Sequence, residues 1–243
     1  MQHGTFQPTR WSMVRGAGSS DPAVRHAALE RLCAQYWYPL YTYQRRRGRE
    51  PDEAADSVQD LFAHLLDGDR FASLDEGGGR FRNWLLTVLQ NHERDRRDRD
   101  RAHKRGGGVA RIPIDGAEGE RRLQLHGDAT GDPQVAFERA WAHETLRMAR
   151  DLLQQEMAGH GKAPLFDALA PLLDQQAAPP HAEIAQRLGI RAVTLRVTLH
   201  RMRTRYRELL VAVVAESLGE RTEAGAELEA LAAALAGKSG VRS

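Results

Sequence analysis

Residues 181–207 carry the feature that most constrains how this chain can fold. Apolar side chains recur there at helical spacing, but in different phases before and after Gly189: Ile184, Leu188 and Ile190, then Leu195, Leu199, Met202 and Tyr206. Glycine tolerates the left-handed backbone that often ends a helix, so Gly189 fits a turn between two helices. The small Ala185 would let the second helix cross closely over the first. The stretch therefore predicts a helix-turn-helix.

The outer face of the second helix is basic. Six arginines lie between 191 and 207, and with the apolar row turned inward Arg196, His200, Arg203 and Arg207 fall on the outer surface, flanked by Arg201 and Arg205. A helix that offers its N-terminal residues to a major groove, and arginines to the phosphates, suits double-stranded DNA. The alternative is an ordinary amphipathic helix with a solvated basic face.

The composition favours a helical protein with local charge patches. The chain has 243 residues, enough for two modest domains, and its formal net charge is only +2. Basic residues gather at 45–49, 94–105 and 191–207, and acidic ones at 50–60 and 216–229. Strand signals are sparse and good helix formers dominate the periodic segments, which predicts an all-α fold.

Other classes of protein find little support in the sequence. No run approaches the roughly 18 apolar residues of a membrane span, and the first residues lack the apolar run of a signal peptide, so a cytoplasmic protein without membrane association is expected. The single cysteine, Cys33, lies on an apolar helical stripe. Without metal-ligand spacing, a phosphate loop or a nucleophile motif, neither an enzyme nor a cofactor is predicted.

The order of helices and glycines predicts two helical domains. Residues 106–133 contain seven glycines and no helical stripe, which predicts a flexible linker. The predicted organisation is a first domain at 9–105, the linker at 106–133, a second domain at 134–218 and a C-terminal extension at 219–243. Within these, helices are expected at 9–14, 23–47, 52–66, 81–90, 134–157, 163–173, 181–218 with its turn, and 221–236. The pair Asp21-Pro22 is suited to opening the helix at 23–47.

Two surfaces of the first domain carry unusual charge. The helix at 52–66, with Asp52 as the expected cap, turns an acidic and amide face outward that is either solvated or bound by a basic protein partner. Residues 91–105 hold seven basic and four acidic side chains, a surplus of three positive charges. That surplus favours a surface that tracks a nucleic-acid backbone, with a free-standing solvated helix as the alternative.

Three segments in this order resemble a known family. They are DEAADSVQDLFAHLL at 52–66, GRFRNWLLTVLQNHERDR at 79–96 and HAEIAQRLGIRAVTLRVTLHRMR at 181–203. Together they resemble the two conserved domains of bacterial RNA polymerase sigma factors of the extracytoplasmic-function class, over 11–218. The resemblance implies a transcription initiation factor that is nucleoid-associated in the holoenzyme. Its first domain would bind the clamp of core RNA polymerase and capture the melted downstream promoter element. Its second would bind the flap and read the upstream element of promoter DNA, and an anti-sigma factor or other regulator is a further implied partner.

The resemblance also implies roles for individual residues. Those implied to bind polymerase are Asp56, Gln59, Asp60 and Phe62. Those implied for the downstream element are Phe71, Arg80, Asn91 and Arg94, and residues 71–80 would form its base-capturing loop. Those implied for the upstream element are His181, Arg191, Arg196, Val197, Thr198, His200, Arg201 and Arg203.

Some of these positions depart from the family pattern or leave a choice open. Val197 and Thr198 replace the usual Ser-Arg pair, which shifts the expected readout toward thymine methyl groups. Arg191 replaces a common capping serine. Phe71 either stacks on an unpaired base or folds onto the core beside Phe81. The stretch 159–180 is longer than the compact form of the second domain.

Two other functions fit parts of the sequence. One is a stand-alone helix-turn-helix regulator that binds duplex DNA as a dimer and never contacts polymerase. The other is an RNA-binding or scaffold protein that uses the basic helix at 91–105. The acidic helix at 52–66 discriminates against the simple regulator, which has no use for it.

Overall fold

The computed structural model describes residues 16–66, 71, 80–102, 114–126, 131–173, 181–216 and 224–236. Within these ranges the secondary structure is helical throughout and contains no strand, which confirms the predicted all-α fold. The helices are α1 (Pro22–Arg46), α2 (Pro51–Leu66), α3 (Phe81–Ala102), α4 (Gly116–His126), α5 (Pro133–Gly159), α6 (Ala163–Leu169), α7 (His181–Arg187), α8 (Ala192–Glu216) and α9 (Ala224–Leu235), with a 3-10 turn at Ala170–Leu172. No helix among them is long and apolar enough to cross a membrane. The helix predicted at 9–14 lies outside the described residues.

The described residues form two compact units, and the first combines segments that are distant in sequence. The first unit runs to Glu144 and resumes at Val214, and the second comprises Thr145–Val213. The division falls inside α5 and inside α8, whereas the sequence predicted a second domain from 134 to 218.

Helix α1 has well-defined ends. The Asp21 carboxylate accepts a hydrogen bond from the Ala23 amide at 2.9 Å, and Pro22 occupies the first turn, as predicted. Gly48 takes a φ of 83° just after the helix. Its amide bonds the Arg45 carbonyl while the Arg49 amide reaches the Gln44 carbonyl, a Schellman ending. The chain can therefore reverse sharply into α2.

Helix α2 begins one residue earlier than the sequence indicated. Pro51 is its first residue, so Asp52 lies within the first turn and is not the cap. An acidic residue in the first turn still interacts favourably with the helix dipole. The apolar positions Ala54, Val58 and Leu61 are fully buried, which fixes the opposite face of the helix toward solvent.

The interval predicted to be a flexible linker contains helix α4, so that prediction was wrong there. The Tyr41 hydroxyl donates to Glu120 at 2.7 Å, and the Arg45 Nε donates to the same carboxylate at 2.6 Å. The hydrogen bond from Arg45 is the main cause of the lowered pKa of Glu120. Gly119 faces the Tyr41 ring so closely that a side chain would collide with it. The glycine that suggested flexibility instead permits close packing.

The second unit has its own apolar core. Its buried members include Leu153, Phe166, Leu169, Ile184, Leu195, Leu199 and Met202. They come from α5, α6, α7 and α8, so this core fixes the two helices of the predicted helix-turn-helix against the helices that precede them. The predicted helices at 134–157 and 163–173 are confirmed, the latter as α6 followed by the 3-10 turn.

Candidate nucleic-acid interface

The turn between α7 and α8 has the geometry that the sequence predicted. Gly189 has a φ of 64°. Its amide donates to the Gln186 carbonyl at 3.1 Å, and the Ile190 amide donates to the Ala185 carbonyl at 3.0 Å. These two bonds define a Schellman motif, in which a residue with a side chain would be strained at the position of the glycine. The turn therefore holds α8 at a fixed angle to α7.

The inward row of α8 is buried as expected, and it leaves one face fully outward. Leu195, Leu199 and Met202 are each less than 5% exposed, and Tyr206 is half-buried with its hydroxyl bonded to the Leu146 carbonyl. At about 100° of rotation per residue, the row opposite this core passes through 193, 197, 200 and 204. All four of these side chains are exposed.

The outward row is apolar near the start of α8 and flanked by arginines. Val193 and Val197 are 62% and 46% exposed. Arg196 and Arg207 lie exposed along one flank and Arg201 along the other, and Thr198 is half-buried. Arg191 precedes the first turn, is exposed, and offers no side-chain acceptor to the first amides of the helix. This face can present apolar contacts and hydrogen-bond donors together. The side chain of His181 lies outside the described residues.

Two arginines predicted to lie on the outer surface are engaged within the second unit. Arg203 is half-buried and donates to the Leu172 carbonyl at 2.9 Å. Arg205 bonds both carboxylate oxygens of Glu156 and one of Glu208, which raises the pKa of Arg205 and lowers that of Glu156. Arg203 therefore ties α8 to the 3-10 turn. The sequence predicted a DNA contact for Arg203 but not this structural role.

In the first unit, Asn91 and Arg94 are exposed on the same helix, α3. Between them Glu93 turns inward, where its carboxylate accepts hydrogen bonds from Gln44 at 2.6 Å and from Arg47 at 2.5 Å. It also lies 2.7 Å from Arg49.

Burial opposes the ionisation of Glu93, but the hydrogen bonds from Gln44 and Arg47 outweigh it and lower the pKa of this carboxyl. The network joins α1 to α3 and fixes the rotation of α3. Asn91 therefore lies on the solvent-facing side of α3.

The other two residues implied for the downstream element are not free in this structure. Phe71 is 6% exposed, and its ring centroid lies 5.6 Å from that of Trp84. Of the two placements considered for Phe71, the structure shows packing on the core, against Trp84, so the ring is not offered to a base. Arg80 is half-buried, with its Nε 3.0 Å from a Glu227 oxygen. The remaining positions of the predicted base-capturing loop lie outside the described residues.

The acidic face of α2 is partly exposed. Asp56 is exposed, and Gln59 and Asp60 are half-buried beside it. Phe62 is only 1% exposed and packs in the core, so it cannot contact a partner directly. The surface available to a partner on this helix is therefore polar and acidic.

Arg82, at the start of α3, was not predicted from the sequence to have a role, yet it is only 2% exposed. Its Nε donates to Glu138 at 2.8 Å, its Nη1 contacts Glu227, and its guanidinium carbon lies 4.1 Å from the centre of the Trp141 ring. The sequence held one signal for this role: positions 82, 86, 89 and 93 share one face of the helix. All four residues are buried, although the first and the last are charged. The role of Glu227 had no comparable signal, because it depends on where α9 folds back.

Comparison of the chain with protein-family models, with curated proteins and with solved structures found no match.

Proposed function

We propose that this protein is a promoter-specificity subunit of bacterial RNA polymerase, a sigma factor that performs no catalysis of its own. In this proposal the second unit binds the duplex upstream element of a promoter, and the first unit binds core polymerase and the melted downstream element. The observation that carries the proposal is the helix-turn-helix, in which a Schellman turn at Gly189 fixes α8 with an outward face of valines, histidine and arginines.

The chemistry of that face suits a major groove. Exposed Arg196 lies early on α8, where side chains of such helices reach base edges and where arginine prefers guanine O6 and N7. Exposed Arg207 lies three turns later, at a position suited to phosphate contact. The sequence preference and the salt dependence would therefore come from different residues.

Two features of the first unit support a polymerase partner and a strand-reading role. The exposed acidic face around Asp56 complements a basic protein surface. Asn91 is exposed on α3, whose orientation the Glu93 network fixes, and its amide offers both a donor and an acceptor to an unpaired base.

Binding to short duplexes tests the upstream-element role. The probe is the tightest-binding duplex of about 30 base pairs selected by the wild-type protein from a random-sequence pool. Arg196→Ala should weaken specific binding by about 1 to 3 kcal/mol and relax the preference at one base pair. Arg207→Ala should weaken binding to all sequences alike and reduce the salt slope by about 1. Equal, sequence-independent losses from both variants would contradict the placement of α8 in the groove.

Promoter opening tests the downstream role. With core polymerase bound, Asn91→Ala should leave recruitment to the upstream element intact while strand opening, followed by permanganate reactivity of thymines, fails or loses its sequence preference. Thr87→Ala, an exposed position one turn earlier on α3, serves as the matched control. Normal opening by Asn91→Ala with an unchanged downstream preference would refute this assignment.

A further inference from the structure

The C-terminal helix α9 belongs to the first unit and is attached to the start of α3. Leu231 and Ala234 are buried, and Glu227, in the first turn of α9, is only 2% exposed. The Glu227 carboxylate contacts the Arg82 guanidinium with one oxygen, and its other oxygen lies 3.0 Å from the Nε of Arg80. A single buried carboxylate therefore faces two arginines at the start of α3, of which Arg80 is itself implied to bind the downstream strand.

The two arginines differ in how much they depend on Glu227. Arg82 keeps a second carboxylate, Glu138, at 2.8 Å and stacks on the Trp141 ring. Removing Glu227 would thus not leave the guanidinium of Arg82 without a counter-charge, which is the costly outcome for a buried ion. Arg80 is 31% exposed, and its described anionic partner is Glu227. Release of α9 would therefore free Arg80 from Glu227, while the charge of Arg82 would still be balanced by Glu138.

A guanidinium binds a carboxylate and a phosphate through the same N–H groups, with similar geometry. Glu227 therefore occupies the place at Arg80 where a backbone phosphate oxygen of a nucleic-acid strand would bind. Glu227 and a phosphate cannot both pair closely with the Arg80 guanidinium.

We infer that α9 is an intramolecular competitor of single-stranded DNA at the start of α3. Glu227 holds Arg80 when no strand is bound, and strand binding displaces α9 from this position. The inference rests on the proposed function, because the competing ligand is the melted downstream strand, and it assigns a regulatory role to the C-terminal extension.

The test compares Glu227→Gln with Glu229→Gln, an exposed glutamate on the same helix. Fluorescence anisotropy measures the binding of a random-sequence 12-nucleotide single strand to each full-length protein over a range of salt concentrations. Glu227→Gln should bind about tenfold tighter, the effect of about one charge-assisted hydrogen bond. Its salt slope should be steeper by about 0.7, the value for one additional phosphate contact on a single strand. Glu229→Gln should match the wild type.

Hydrogen exchange on the wild-type protein provides a readout that needs no substitution. Saturating single strand should accelerate amide exchange in α9 and slow it around Arg80, whereas a duplex of the same length should leave α9 protected. If the strand binds all three proteins equally and α9 stays protected, the inference is overturned while the proposed function stands. If no protein binds the strand, even with core polymerase present, the strand-reading part of the proposed function fails and the inference fails with it.

Discussion

Replacing Gly119 by alanine should destabilise the first unit, although alanine is a better helix former than glycine. A β-carbon at this position would lie 2.6 Å from Cε1 of Tyr41, 2.9 Å from Cδ1 and 3.0 Å from Cζ. The Tyr41 ring cannot move away easily, because it is fully buried and its hydroxyl is bonded to Glu120. Either α4 shifts outward or the ring leaves its position, and both weaken the packing of α4 on α1.

The magnitude follows from two opposing effects. Overpacking a filled core costs about 1 to 3 kcal/mol. The gain in helix propensity from glycine to alanine is at most about 1 kcal/mol. The difference is a net loss of up to about 2 kcal/mol. A displaced α4 would also lengthen the hydrogen bonds that Arg45 and Tyr41 make to Glu120.

Amide hydrogen exchange of α4 and urea unfolding followed by circular dichroism measure this effect. Gly225→Ala is the matched control, since Gly225 also lies in a helix but a β-carbon there meets nothing within 4 Å. The control should be neutral or slightly stabilising. A Gly119→Ala protein as stable as the wild type, with unchanged protection of α4, would show that this helix is not docked on Tyr41.

Three further predictions concern the network of α3, the core of the second unit and the valines of α8. The folded pKa of Glu93 is lowered, so its stabilisation is complete above the ordinary glutamate pKa and is lost as the pH falls through the folded value. Glu93→Gln should therefore be less stable than wild type at neutral pH, and the difference should shrink below about pH 4.3 in thermal melts. Leu195→Ala, at a fully buried position, should cost the second unit about 2 to 5 kcal/mol in urea unfolding, whereas Val193→Ala should cost little because Val193 is exposed. If Val193 and Val197 contact thymine methyl groups, uracil in place of thymine in the selected duplex should weaken binding about fourfold per methyl, at about 0.8 kcal/mol each. The double Val→Ala variant should not distinguish the two bases, and equal discrimination by that variant would exclude methyl readout.

The sequence was sufficient where local rules decide the structure. The phase change across Gly189 predicted the turn because a Schellman ending needs only residues within one turn of the glycine. The Asp21-Pro22 pair predicted the start of α1 for the same reason. The inward face of α8 followed from its apolar spacing.

The sequence was insufficient where distant residues decide the outcome. Seven glycines between 106 and 133 indicated a linker, but Gly119 is required by the ring of Tyr41, far away in the chain. Arg203 and Arg205 read as surface charge because their partners, the Leu172 carbonyl and Glu156, lie 31 and 49 positions away. The placement of Glu227 beside Arg80 depends on the return of the chain to the first unit, which no local pattern encodes.

Co-purification with bacterial core RNA polymerase tests the central proposal most directly. The wild-type protein should co-elute with core enzyme in a 1:1 complex, as expected for a specificity subunit. Asp56→Arg should weaken that complex by a few kcal/mol, because it would place like charges against a basic partner surface. Glu30→Arg, the same charge reversal on the exposed surface of α1, should leave the complex intact. A wild-type protein that binds its selected duplex but never co-elutes with core enzyme would contradict the sigma-factor proposal and favour a stand-alone helix-turn-helix regulator.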